Sequence, residues 1–272
     1  MKPNYFTTKF LLFMSLFLLT AFSGLAQDAP KPQLSRVSVT QVKPEMWEQF
    51  LAFYKNETLP ALKKAGVKQS LVMQSSGPVG NGFELRVVQP IDSLAQFDEG
   101  SALSKALGPE GRKAYDAKRR AMIVSSHAYV IRSIPEAAIM QNGTSKLMVR
   151  REISIAPGRR ADYESYQKDL LTVLKKTSLK GHRVSRLVIG GDLNLYFHVN
   201  SFDSWAEYEK FQAELPKVEG YSKLAGRTAG VVMHTNVSVY SPIPELSITP
   251  APTTANKKRS SEFTLQRATP SS

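Results

Sequence analysis

The sequence predicts an α+β protein in which two ferredoxin-like βαββαβ repeats pack sheet to sheet as an intramolecular α+β barrel. Three observations predict it. Residues 35–136 and 146–245 run through the same succession of strand-period and helix-period segments. Both stretches close on one phrase, Ser133-Ile134-Pro135-Glu136 and Pro242-Ile243-Pro244-Glu245. A four-stranded antiparallel sheet with helices on one face leaves its other face bare, and a second such sheet can cover it. A repeat of this length is a duplicated domain rather than a solenoid unit, and each copy is long enough to hold a core.

In the first repeat, Val37 and Val39 alternate with Ser38 and Thr40 across residues 36–42, the period of a strand. Pro44 opens a helix, at a position where its missing N–H does no harm. Trp47, Phe50, Leu51, Tyr54, Thr58, Ala61, Leu62 and Ala65 recur at helical spacing. Pro60 should kink this helix, and Gly66 ends it. Residues 70–74 and 83–88 form a hairpin turned by residues 77–82. Asp92-Ser93 reads as the N-cap of a second helical region that reaches Arg120 and breaks at Gly100 and Gly108-Pro109. Residues 122–132 are the closing strand, which completes the split βαβ order.

The second repeat follows element by element. Residues 147–155 are a strand, and Pro157-Gly158 opens a helix carrying Tyr163, Tyr166, Leu170, Val173 and Leu174. Residues 183–189 and 193–199 form the hairpin, turned by Gly190-Gly191-Asp192. Asp203-Ser204-Trp205 caps the second helix, and residues 231–240 close the copy. Leu62-Lys63-Lys64 and Leu174-Lys175-Lys176 match where the first helices end. Trp47, Trp205, Tyr163 and Tyr166 are expected to pack against the helices, and His182, at a strand start, to be exposed.

The ends lie outside this plan. Lys2 and Lys9 precede an apolar run from Phe10 to Phe22, and Gly24-Leu25-Ala26 offers small residues before Gln27. That is the form of a cleavable signal peptide over residues 1–26; the run is shorter than the roughly 20 apolar residues a membrane span needs. No transmembrane segment is expected after cleavage, and the protein is expected to be exported, periplasmic or secreted. Residues 27–34 are a lead-in and 137–145 a linker. Residues 246–272, rich in Pro, Thr, Ser and Ala without an apolar period, read as a disordered basic tail.

The chain has no cysteine, which excludes disulfide staples, thiol nucleophiles and iron–sulfur clusters. Its net charge is +13, and loss of the leader lysines would leave +11. Such a surplus suits an anionic envelope surface, but the basic clusters lack the interleaved aromatics of a nucleic-acid platform, so no nucleic acid is expected. The phosphate-binding and nucleophile-elbow motifs are absent.

The closing strands carry the most chemistry. Ile123, Ser125, His127, Tyr129 and Ile131 alternate with an apolar stripe, as do Val232, His234, Asn236, Ser238 and Tyr240. With the apolar stripes toward the helices, the polar ones face the barrel lumen. Arg36, Ser38 and Thr40 align with Arg150, Glu152 and Ser154; Glu84 and Arg86 align with Tyr196 and His198. The lumen is then expected to hold His127, His234, Tyr129, Asn236, Tyr240, Tyr196, His198, Arg86, Glu84, Arg150 and Glu152. These groups can satisfy one another as a buried polar network. They can also form a ligand pocket in which His127 or His234 acts as acid or base. The histidines are too scattered for a metal-ligand spacing. No metal or cofactor is expected, haem included.

On its element order, its duplication and the stretch Leu59-Pro60-Ala61-Leu62-Lys63-Lys64-Ala65-Gly66, the region 35–245 resembles the dimeric α+β barrel superfamily. This resemblance implies that one chain holds the pair that relatives build by dimerising. It therefore implies a monomer or a weak homo-oligomer. The superfamily includes small monooxygenases, isomerases, haem enzymes and uncharacterised stress-related proteins, so the fold alone does not choose an activity. Three functions stay open: an exported small-ligand-binding or stress-associated protein that uses the lumen or the pockets between sheet and helices, a cofactor-independent monooxygenase or isomerase, and a module binding an anionic envelope partner.

Overall fold

The computed structural model describes residues 31–75, 82–141 and 145–250. The expected leader, most of the first hairpin turn, Asn142-Gly143-Thr144 and the chain beyond Pro250 lie outside the described residues.

Eight strands form one closed antiparallel barrel. They are β1 (Leu34–Val42), β2 (Leu71–Ser75), β3 (Glu84–Ile91), β4 (Ile123–Ser133), β5 (Leu147–Ile155), β6 (Gly181–Ile189), β7 (Leu195–Phe202) and β8 (Val232–Pro242). Around the barrel the order is β1-β3-β2-β8-β5-β7-β6-β4. The first half of the chain supplies β4-β1-β3-β2 and the second supplies β8-β5-β7-β6. The expected sheet-to-sheet packing is thus edge joining: β2 pairs with β8 and β4 with β6, so neither sheet keeps a wholly free edge. Both seams are short. Only Val130–Ser133 of β4 meets β6, and only Tyr240–Pro242 of β8 meets β2. Residues 124–128 and 233–237 stay exposed.

The helices pack outside the barrel. In the first half α1 (Trp47–Phe53) runs through a wide turn into α2 (Leu59–Lys64). There the Leu59 N–H donates to the Tyr54 carbonyl, five residues back. This π-turn, placed just before Pro60, is the local adjustment the proline demands. The helix α3 (Ala102–Met122) kinks at Gly108, whose φ of 68° is left-handed. Its N-cap is Ser101, whose side chain accepts from the Ser104 N–H. Ser93, expected as that cap, makes no cap hydrogen bond and precedes a short 3-10 turn instead. In the second half α4 (Arg160–Leu174), α5 (Trp205–Glu214) and α6 (Tyr221–Gly226) cover the sheet. Ser204 caps α5 as expected, but Trp205 is exposed.

The cores lie between sheet and helices. Val42, Val72, Leu85, Phe50, Phe53, Leu62 and Tyr115 form the first. Tyr163, Tyr196, Ile153 and Val184 anchor another, and Val149, Phe202, Phe211 and Leu174 a third. Leu246 and Ile248, expected in the tail, belong to the first core and are buried. Burial of two large apolar side chains keeps this stretch packed.

The repeated phrase has a structural job. Past β4, the Ile134 N–H donates to Val184 of the second half, and Ile139 bridges His182. Past β8, the Ile243 N–H donates to Val72 of the first half, and Ile248 bridges Ser70. Each half therefore clasps the other beyond its closing strand.

Candidate functional site

Register decides which side chains meet. Residues directly opposite on antiparallel neighbours share a face. Glu84 and Arg86 on β3, Tyr129 on β4, Arg150 and Glu152 on β5 and Tyr240 on β8 come together in the lumen, as expected. Arg86 donates to Glu84 at 2.9 Å and to the Tyr129 hydroxyl at 2.7 Å. Tyr240 donates to Glu84 at 2.9 Å, and Arg86 lies over its ring. Arg150 pairs with Glu152 at 2.7 Å, reaches the Tyr129 hydroxyl at 3.5 Å and lies over Phe197. Burial works to lower the Arg86 pKa, but Tyr129, Tyr240 and Glu84 outweigh it and hold it above its ordinary value. Each buried charge here has a counter-ion and hydrogen bonds, which is what burial requires. This part of the lumen is a satisfied network.

His127 and His234 sit on the lumen-side rows but in the exposed parts of β4 and β8. The His127 ring lies 6.2 Å from that of Tyr129. No hydrogen bond or ion pair joins either histidine to another described side chain. Asn236 is likewise exposed. Neither histidine thus joins the described polar network of the lumen.

Tyr196 and His198 correct the sequence reading. They face the helices, because β7 pairs with β5 one residue out of the assumed alignment. A one-residue shift moves every side chain to the opposite face. Tyr196 donates to Glu164 of α4 at 2.7 Å, and His198 Nε2 meets the Tyr163 hydroxyl at 2.9 Å and the Gln167 amide at 2.6 Å. His182, expected to be exposed, is buried beside His198 and bonded to Asn200 at 2.6 Å. Burial first, then His182 and Arg151, push the His198 pKa well below that of a free imidazole. Burial also lowers His182. In the second half, then, a neutral aromatic and amide network fills the layer between sheet and helices.

The same layer in the first half is packed around Leu85, Phe50 and Tyr115 but opens beside them. A cavity of about 820 Å³ lies between the outer face of β1, β3 and β4 and the helices. Leu85 and Val87 occupy the strand positions where the second half has Tyr196 and His198, and both line the cavity. Arg36, Ser38 and Thr40 face this cavity, not the lumen, because they pair with Gln89, Val87 and Leu85. The lumen instead receives Val37 and Val39. Arg119 of α3 donates to Thr40 at 3.0 Å and to Ser126 at 2.6 Å, and Arg36 donates to Ser38. Arg112 is paired with Asp116 at 2.8 Å. Burial, then the charges of Arg119 and Arg112, lower the Arg36 pKa. Tyr54, on the cavity wall, has its hydroxyl buried without a hydrogen-bond partner among the described residues. Burial, and then neighbouring Tyr115, push that phenol upward. Tyr115 bonds Thr58 at 2.8 Å.

Sequence reading left pockets between sheet and helices open as a ligand site but assigned no residue to them. The signal it held was the polar stripe Arg36-Ser38-Thr40, read on the correct strand and assigned to the wrong face. Among the described residues no cluster of three or more His, Asp or Glu side chains could hold a metal ion.

The fold has solved counterparts. A provisionally named monooxygenase from Fusobacterium nucleatum superposes with a TM-score of 0.53 at 11% identity, over 78% of this chain and 92% of that one. An anthrone oxidase-like protein gives 0.53 at 15%, over 79% and 93%. A provisionally named monooxygenase from Lactobacillus acidophilus gives 0.50 at 10%, over 81% and 97%. At such identities the likeness is one of fold: the chain adopts the α+β barrel of these monooxygenase-like proteins. No protein-family model matches the chain, and no curated protein matches it in sequence.

Proposed function

We propose that this protein binds a small molecule in the cleft between β1, β3, β4 and the helices of its first half. One contrast carries the reading. The first half leaves about 820 Å³ open in a layer that the second half fills with Tyr163, Tyr196 and His198. Concave sites with a few convergent polar groups are where small ligands bind. Thermal-shift screening of the protein against small aromatic and acidic metabolites tests it, because a ligand of the native state raises its melting point. Hits should lose their effect in Val87→Trp, which fills the cleft, and keep it in Tyr129→Phe, which alters only the lumen. Hits indifferent to Val87→Trp would overturn the proposal.

The enzymatic alternative is a cofactor-independent monooxygenase or isomerase, and the names of the fold's counterparts favour it. Oxygen consumption with small phenols as substrates checks it, and the role once open to His127 or His234 would show as loss of turnover in His127→Ala or His234→Ala.

The same proposal takes the two halves as copies of one ancestral unit. The identical order of strands in each half, the crossed clasps and the paired register shifts at Gln41/Val42 and Ser154/Ile155 support it. Export follows from the leader reading, and a mature N-terminus at Gln27, seen by intact mass, checks it. An anionic envelope partner would fit the charge of +13. Among the described residues no helix is long and apolar enough to cross a membrane.

A further inference from the structure

We propose that the first-half cleft selects an organic anion, a carboxylate or phosphate carried on an apolar body, with its charged end held between Arg36 and Arg119. This rests on the cleft being the binding site and adds what chemistry it takes.

Two observations point the same way. The first is a charge imbalance. Arg36 and Arg119 are half-buried on the cleft wall, and among the described residues neither is paired with a carboxylate. Their present partners are the neutral hydroxyls of Ser38, Thr40 and Ser126. Ser38 and Thr40 are two residues apart on one strand face, roughly 7 Å, so the two guanidinium groups bracket a space of about the size of one anionic head. Like charges at that range, away from bulk water, repel. The acidic residues on the wall do not relieve this: Asp92 and Glu99 are exposed, and Glu99 is paired with Lys105. By contrast each arginine in the lumen has its own glutamate. The second is the Tyr54 hydroxyl, buried on the same wall with no partner among the described residues. A buried polar group left unsatisfied is costly, and an acceptor on a ligand would satisfy it. Phe50 and Leu62 beside Tyr54 offer apolar surface to the rest of the molecule.

An arginine fork suits a planar carboxylate or a phosphate equally. The experiment therefore uses matched probes: benzoate, phenylacetate and cinnamate, their neutral amides, phenyl phosphate, and inorganic phosphate alone. Binding to the intact protein is followed by calorimetry and thermal shift. The expected result is binding of the acids or of phenyl phosphate, with no binding of the amides. The ranking of carboxylates against phenyl phosphate identifies the head group. Arg36→Gln and Arg119→Gln should each weaken binding about tenfold or more. With no ligand, each should melt no lower than the parent, because a repulsive charge has gone. Arg36→Lys keeps the charge and should retain part of the affinity. Lys223→Gln, exposed on α6 of the second half and outside the cleft lining, should change nothing.

Failure has two distinct forms. If amides and acids bind alike, still blocked by Val87→Trp, and the arginine variants bind as the parent does, the cleft is a site but the anion inference is wrong. If Val87→Trp blocks nothing, both readings fall. Acid binding that Lys223→Gln weakens as much as Arg119→Gln would mark diffuse surface charge and also overturn the inference.

Discussion

Arg86 on β3 reaches the Tyr129 hydroxyl on β4 at 2.7 Å, across the width of β1, which lies between those strands. The bond spans a strand because the β1 residues opposite its two ends, Val39 beside Arg86 and Val37 beside Tyr129, are short enough to be bridged. Tyr129 also accepts from Arg150 of the second half, so one phenol links the two ion pairs.

Tyr129→Phe should lower the unfolding free energy by about 1.5–3 kcal/mol, the range for a hydrogen bond to a charged group. Arg86→Met should cost more, about 3–5 kcal/mol, because it leaves Glu84 buried without its cation. Urea denaturation of the two single variants and of the double measures this, and the double should cost less than the sum.

The buried histidines set an acid limit. In the unfolded chain an imidazole titrates near about 6.5. His198 and His182 resist protonation in the fold. Below that value the unfolded state binds more protons than the native one, so stability falls as pH falls. The melting point should drop between pH 7 and pH 5, and His198→Gln should flatten the slope.

Leu246 is 2% exposed and belongs to the first core. Leu246→Ala should cost about 2–4 kcal/mol, as truncation of a buried leucine does. A loss under about 0.5 kcal/mol in chemical denaturation would show that the chain beyond β8 does not stabilise the fold.

Gly190 turns the β6–β7 hairpin with a φ of 98°, and a Cβ there would lie 2.8 Å from Cβ of Tyr129. Gly190→Ala should destabilise by about 1–3 kcal/mol through left-handed strain and this contact. The turn sits against β4 beside its seam with β6, so hydrogen exchange at residues 130–133 should quicken in the same variant.

Strand and helix periods were legible to within a few residues, as with β5 at residues 147–155 and the Gly108 break in α3. The faces were harder. In an open sheet one face is wet, and alternation then names the core side. Here both faces of each strand are partly buried, one under helices and one in the lumen. The alternation in residues 36–40 fits either assignment. The polar stripe Arg36-Ser38-Thr40 was therefore read inward, and Tyr196 and His198 went with it. His182 misled for a related reason: it stands at a strand start, but the chain after β4 folds over it at Ile139.

The crossed clasps make damage travel diagonally. The hydrogen bonds that hold Val72 and Ser70 in the first half come from Ile243 and Ile248, which follow β8 in the second. A fault introduced after β8 will thus loosen the opposite side of the molecule, beside the open cleft, before it disturbs its own neighbours. Should such a chain ever be split between its halves, each piece would carry the other's fastening, and they would be expected to find one another again as an obligate pair.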